Sequence, residues 1–218
     1  MGTLYVAWLS RKGFAKVFYD KIKVNHKGGE SVREIEIKVR LTNLDEAKQK
    51  LMAAGVVISQ PKKQHDVVYC LPENLQSEGG DTSVNWLRKR TENDSTVYFT
   101  LKRSVSGSLD SIEHETIVEN GDELEKILDY MGYVKFSDLT KIRQTGHYGE
   151  SIEVCVDEVP PLGGFIELEM LCPDDADGMA VEKELFAALE AFGIEYTERM
   201  TKGYDELMND YLAKSEEK

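Results

Sequence analysis

From Glu34 to Arg40 the chain alternates without a break, with Ile35, Ile37 and Val39 on one parity and Glu34, Glu36, Lys38 and Arg40 on the other. A period of two places one wholly aliphatic and one wholly charged face on a β-strand. Similar runs predict strands over about 33–41, 64–71, 83–92, 96–104, 111–119, 133–147, 151–158 and 164–171. Turn residues such as Glu92-Asn93-Asp94-Ser95 and Gly146-His147-Tyr148-Gly149 separate several of them. Three segments share one order: a strand carrying Glu-x-Glu, a linker, then an amphipathic helix stopped at Gly55, Gly132 or Gly193. In the first of these helices Asn43 is placed to cap the N-terminus, with Glu46 three residues on. A last short helix is predicted over about 204–213. Eight strands with few helices imply an α+β fold whose sheet closes on itself as a barrel.

The polar faces carry the chemical information. Arg88 and Arg90 share a face, as do Thr100 and Lys102, Glu113 and Glu115, Lys141 and Arg143, and Glu167 and Glu169; Asp157 ends the run that begins at Ile152. One such strand is an ordinary half-exposed strand. A solvent face tolerates charges but does not require them at matched i, i+2 spacing on strand after strand. The interior of a barrel that holds something highly charged does. Eight strands leave room for side chains or one small ligand. A triphosphate, with about four negative charges, accepts bidentate arginine and point-charge lysine contacts. Hard divalent cations take carboxylate and phosphate oxygens together. Bases for phosphate and acids for metal therefore belong in one cavity, where each offsets the burial of the other.

These residues resemble the CYTH superfamily, which includes class IV adenylyl cyclases, thiamine triphosphatases and inorganic triphosphatases. The resemblance runs from about Arg33 to Leu207. It is carried by Glu34-x-Glu36-x-Lys38, Trp86-Leu87-Arg88-Lys89-Arg90, Thr100-Leu101-Lys102, Glu113-x-Glu115 and Lys141-x-Arg143. It continues through Asp157-Glu158-Val159 and Leu162-Gly163 to Phe165-Ile166-Glu167-Leu168-Glu169. That last segment, with Gly203-Tyr204-Asp205-Glu206-Leu207, looks most like the class IV cyclase branch. The resemblance implies a closed eight-stranded antiparallel tunnel over residues 32–213, with helices packed outside. It implies that Lys38, Arg88, Arg90, Lys102, Lys141 and Arg143 hold phosphates, with Lys38 and Lys102 catalytic. Glu34, Glu36, Asp157, Glu167 and Glu169 would hold one or two Mg²⁺ or Mn²⁺ ions, and Glu113 and Glu115 would orient basic side chains or support the second metal. Arg40 has the same parity.

The implied reaction is cleavage of a P–O–P link: conversion of ATP to cyclic AMP and pyrophosphate as in class IV adenylyl cyclase, or alternatively hydrolysis of inorganic or thiamine triphosphate. A non-catalytic nucleotide or polyphosphate binder would not need both sets of carboxylates. Two departures stand out. Val68 occupies the position where the family often has a tyrosine on its second strand, and Tyr69 has the other parity. Gly203 stands where a serine usually precedes Tyr204, so a looser C-terminal segment is expected.

Composition narrows the partners. A net charge of −13 argues against nucleic acid and membrane surfaces. No apolar run approaches the roughly 18–20 residues of a membrane span. Cys70, Cys155 and Cys172 are far apart and form no C-x-x-C pair, which fits a reducing, cytoplasmic setting. His26, His65, His114 and His147 lack metal-ligand spacing; His114 is expected to point outward and Trp86 and Tyr98 to pack. Residues 1–31 are basic and without clear periodicity, and are expected to be a poorly ordered extension. Residues 214–218 are expected to be a solvated tail. The sequence leaves the oligomeric state open, with a homodimer allowed.

Overall fold

In the computed structural model, which describes residues 32–216, the opening alternation forms strand β1 (Val32–Leu41). It is followed by α1 (Leu44–Ala53), β2 (Lys62–Cys70), β3 (Trp86–Glu92), β4 (Thr96–Gly107) and β5 (Asp110–Val118). Then come α2 (Gly121–Tyr130), β6 (Val134–Tyr148), β7 (Ile152–Val159), β8 (Gly163–Pro173), α3 (Gly178–Ala191), β9 (Tyr196–Met200) and α4 (Tyr204–Glu216). The strands pair antiparallel in the order β5-β4-β3-β2-β6-β7-β8-β1. Pairing of Arg33 with Ile112, Glu34 with Ser111 and Ile35 with Asp110 joins β1 to β5 and closes the ring.

Eight strands thus form a closed barrel, and β9 is an addition the hydrophobic pattern did not predict. It pairs with β1 from Lys38 to Leu41, beyond the part of that edge held by β5. Thr197, Glu198 and Arg199 are exposed and only the end residues Tyr196 and Met200 reach a core, so β9 leaves no run of alternation. Two other boundaries differ. Residues 83–85 precede β3 in a loop, because Val84 is buried there outside any ladder. Helix α4 continues to Glu216, so Lys214, Ser215 and Glu216 are exposed turns of helix rather than a tail. The expected N-terminal extension and residues 217–218 lie outside the described residues.

The aliphatic faces point outward and are covered by helices. Ile35, Ile37, Val39, Val154, Val156, Ile166 and Leu168 pack under Ala47 and Leu51 of α1 and Leu185 and Leu189 of α3. On the far side Val67, Tyr69 and Leu87 pack under Leu124 and Leu128 of α2. The Asn43 carboxamide accepts from Asp45 and Glu46 N–H groups at 3.0 and 3.1 Å, as the capping pattern requires. Gly55, Gly132 and Gly193 stop their helices at φ of 85°, 86° and 63°. This arrangement leaves the charged faces with nowhere to go but inside.

Candidate active site

Most inward parity positions read from the sequence open on one cavity of about 340 Å³. Its wall includes Lys38, Arg88, Arg90, Lys102, Lys141 and Arg143, and Glu34, Glu36, Glu113, Glu115, Glu167 and Glu169. Asp157 stands behind this wall, fully buried, and reaches the cavity only through the bases it holds. Arg40 does not join them: it donates to the Leu162 carbonyl and lies over the Phe165 ring at 4.8 Å. His114, expected to point outward, is exposed but also borders the cavity.

At the deep end, β1, β6, β7 and β8 bring buried charges together. Arg143 Nε donates to Asp157 at 2.8 Å, and its Nη2 also donates to Glu167. Lys38 Nζ lies 3.1 Å from Glu167 and 3.4 Å from Glu36. Lys141 Nζ is 3.5 Å from Asp157. Burial works against the Lys38 ammonium, but the Glu36 and Glu167 carboxylates outweigh it and raise the pKa. Burial likewise opposes ionisation of Glu167, yet Arg143 and Lys38 hold its carboxyl well below the usual range. Lys141 goes the other way: burial and the neighbouring Arg143 guanidinium lower its pKa.

Towards the more open side the same logic repeats with half-buried groups. Arg88 lies 3.3 Å from Glu113 and 3.6 Å from Glu115, and Lys102 lies 3.2 Å from Glu113. The Thr100 hydroxyl donates to Glu115 at 2.8 Å. Burial lowers the Lys102 pKa, but Glu113, Glu36 and Glu34 raise it further. Both lysines assigned to catalysis therefore stay charged in the empty tunnel.

Carboxylate oxygens of Glu34, Glu36 and Glu169 lie within 4.8 Å of one another. Three hard oxygen donors on adjacent strands suit a divalent cation of the Mg²⁺ or Mn²⁺ type. Asp157 and Glu167, expected in the same role, are instead committed to Arg143, Lys38 and Lys141. A second group, Glu153, Cys155 and Glu169, shares Glu169 with the first.

One end of the tunnel is occupied by the start of α4. The Tyr204 ring lies among Leu139, Val159, Phe165, Met200 and Met208. Glu206 accepts from the Gly203 N–H at 3.1 Å and from the Gly79 N–H at 3.0 Å. A Cβ on Gly79 would stand 2.4 Å from the Glu206 carboxylate, so only glycine allows this approach. Lys38 also donates to the Lys202 carbonyl at 3.3 Å. The segment expected to be loose for want of a serine at Gly203 is thus tied from both sides.

A closed barrel with bases and carboxylates on its inner face has counterparts among known proteins, and the CYTH domain matches residues 32–204. The chain belongs to the CYTH family. A Methanocaldococcus jannaschii relative named "putative adenylate cyclase" is 27% identical over 176 residues, covering 80% of this chain and 97% of that protein. The solved structure of a Pyrococcus horikoshii protein superposes with a TM-score of 0.68 at 21% identity, covering 80% of this chain and 99% of the other. A Hippeastrum "putative adenylyl cyclase", described as having a dominant triphosphatase activity, superposes with a TM-score of 0.51 at 16% identity, covering 76% and 90%.

Within this CYTH tunnel, sequence reasoning gave no site role to several residues of the wall, among them Asp66, Tyr204, Asp205 and Glu206. Asp66 has inward parity on β2 and pairs with Arg90; its parity alone would have found it. Tyr204 belongs to a helix, where alternation gives no signal. The other expectations for uncharged side chains held: Val68 faces the cavity, Tyr69 faces α2, and Trp86 packs on Phe136 with ring centres 4.6 Å apart. No helix of the described residues is long and apolar enough to cross a membrane.

Proposed function

We propose that this protein is a divalent-cation-dependent enzyme that cleaves a P–O–P link of a triphosphate held in the tunnel. One observation carries the reading: six bases share a single cavity with nine carboxyl side chains, from Glu34 to Glu206. A tetra-anion would be repelled by that surplus of acid on its own. Accompanied by divalent cations it becomes neutral overall and meets both halves of the lining. Glu34, Glu36 and Glu169 would hold Mg²⁺ or Mn²⁺, which supplies charge neutralisation at the phosphoryl oxygens when bound.

The chain's own residues then position and stabilise. Lys38, Lys141 and Arg143 line the deep end, and Arg88 and Lys102 the more open side, so a linear triphosphate can lie between them. Arg90, with Nε and Nη2 already given to Asp66, offers its remaining N–H groups. Lys38 and Lys102, both held as ammonium, act as charge stabilisers rather than bases. Phosphoryl transfer asks for little else than this alignment. An oxygen nucleophile forms a new O–P bond, the P–O–P bond breaks opposite to it, and the departing phosphate or pyrophosphate leaves with its charge matched by the bases.

Two nucleophiles fit. If the 3′-hydroxyl of ATP attacks the α-phosphorus, the products are cyclic AMP and pyrophosphate; the match to the M. jannaschii relative along nearly its whole length and Val68 in the wall favour this reading. If water attacks a terminal phosphorus, the products are orthophosphate and a shortened chain, the activity described for the Hippeastrum neighbour. Incubation with ATP, thiamine triphosphate or inorganic triphosphate plus Mg²⁺ or Mn²⁺, followed by ion-exchange chromatography, separates the two. Cyclic AMP supports the first, orthophosphate the second, and an untouched set of substrates overturns both.

A further inference from the structure

Tyr204 touches two bases that come from strands far apart in the barrel. Lys38 Nζ on β1 lies 4.3 Å from the centre of its ring, and Lys141 Nζ on β6 lies 4.8 Å from it. Two strands, β7 and β8, separate β1 from β6 in the sheet order, so no ladder fixes one lysine against the other. Both distances are inside the range of about 6 Å at which a ring face attracts a cation.

The ring itself is held firmly. Phe165 meets it edge-on, with centres 5.2 Å apart and planes at 68°. Met208, one helical turn on, is buried in the same cluster. Glu206 closes the preceding turn through the Gly203 N–H and fixes it to Gly79 across the tunnel end. The C-terminal segment thus presents one packed aromatic face to the amino groups of two lysines.

The alternative partners explain what such a surface is for. Lys141 has Asp157 at 3.5 Å, and Lys38 has Glu167 at 3.1 Å. An aromatic face attracts without adding charge and without using an acceptor lone pair, so it backs a cation and leaves its N–H groups to oxygen acceptors: Glu36, Glu167 and the Lys202 carbonyl for Lys38, and Asp157 for Lys141.

We propose that Tyr204 is a positioning residue that backs Lys38 and Lys141 and keeps both ammonium groups directed at the phosphate oxygens of a bound triphosphate. This rests on the reading of the tunnel as a triphosphate site. It adds a role for the C-terminal helix: α4 is part of the binding machinery and not a mere stopper.

The test is isothermal titration of the full-length protein with inorganic triphosphate and Mg²⁺, using ring variants at position 204. Tyr204→Phe keeps the ring face and should bind within about twofold of wild type. Replacement by pentafluorophenylalanine keeps the shape but reverses the charge of the ring face, and should weaken binding by about tenfold or more. Asn209→Ala removes the 2.9 Å bond from α4 to the Phe136 carbonyl, away from the cluster around the ring; it should lower the melting temperature and leave the affinity within about twofold. Wild-type affinity in the fluorinated variant would overturn the inference. So would an Asn209→Ala variant that binds as poorly as the fluorinated one, since that marks a structural role. If wild type binds no triphosphate at all, the reading of the tunnel fails first and this inference with it.

Discussion

Arg90 and Asp66 face each other across β2 and β3 as register partners, with guanidinium Nε and Nη2 each 2.7 Å from one carboxylate oxygen. Two parallel charge-assisted bonds between nearly buried groups make this the best-formed pair on the tunnel wall. Removing the acid alone strands a guanidinium in a water-poor interior. Asp66→Ala should therefore cost about 3–5 kcal/mol in chemical denaturation, while Asp66→Ala combined with Arg90→Met should recover much of the loss. A double variant no more stable than the single one would show that the pair is not what Asp66 is for.

The same pair predicts how the empty protein responds to acid. Burial raises the Asp66 pKa, but Arg90 lowers it more, so the folded value lies below the ordinary 3.8. Glu167 is depressed below its ordinary 4.5 by Arg143 and Lys38, again against burial. A depressed folded pKa contributes stability that is complete above the unfolded value and lost as pH falls towards the folded one. Unfolding free energy should hold steady from neutral pH to about 5 and then fall by about 1.4 kcal/mol per pH unit for each group. Denaturant titrations at a series of pH values check this; a flat profile down to pH 3 would contradict the depressed values.

Much of this could be read from the sequence because a barrel obeys the parity of its strands. Once Glu34, Arg88, Lys102, Glu113, Lys141 and Glu167 are each assigned a face, closure alone brings them into one cavity. Parity does not give the height of a residue along the barrel. Glu169 therefore falls beside Glu34 and Glu36, with Arg143 at 3.5 Å, while Glu167, two residues earlier, is held more closely by Arg143 and by Lys38. Pairing also depends on reach across strands, which is why Asp157 became a partner of Arg143 rather than a member of the carboxylate cluster. Tyr204 and β9 were illegible for another reason. One enters on a helix and the other is an exposed edge, so neither leaves a period-two trace.

The Glu34, Glu36 and Glu169 cluster predicts opposite effects on folding and on cation use. Three carboxylates within 4.8 Å repel when no cation is present. Glu34→Gln should leave the cation-free protein as stable as wild type or slightly more so, and should raise the Mg²⁺ or Mn²⁺ concentration for half-maximal triphosphate turnover by about tenfold or more. Thermal melts with and without cation, paired with cation titrations of activity, give both readings. Unchanged cation dependence would remove Glu34 from the site.

Arg88 and Lys89 are adjacent on β3 yet belong to different compartments, and they give the sharpest test of the tunnel. Arg88 points inward, 3.3 Å from Glu113 and within reach of the cavity. Lys89 points outward, where its ammonium pairs with Glu125 on α2. A ligand that binds only the folded state stabilises it by about 2.7 kcal/mol at a hundredfold excess over its dissociation constant. That increment, not the starting stability, reports on the lining. Lys89→Ala should lower the melting temperature slightly through its lost outer pair, and still show the full shift with triphosphate and Mg²⁺. Arg88→Ala removes a base from the wall and a counter-charge from Glu113 and Glu115, so its shift should shrink sharply at the same concentrations. Turnover should follow the shift in both variants. Equal shifts in the two would mean that alternation on β3 does not separate an inside from an outside, and the triphosphate reading would lose its support.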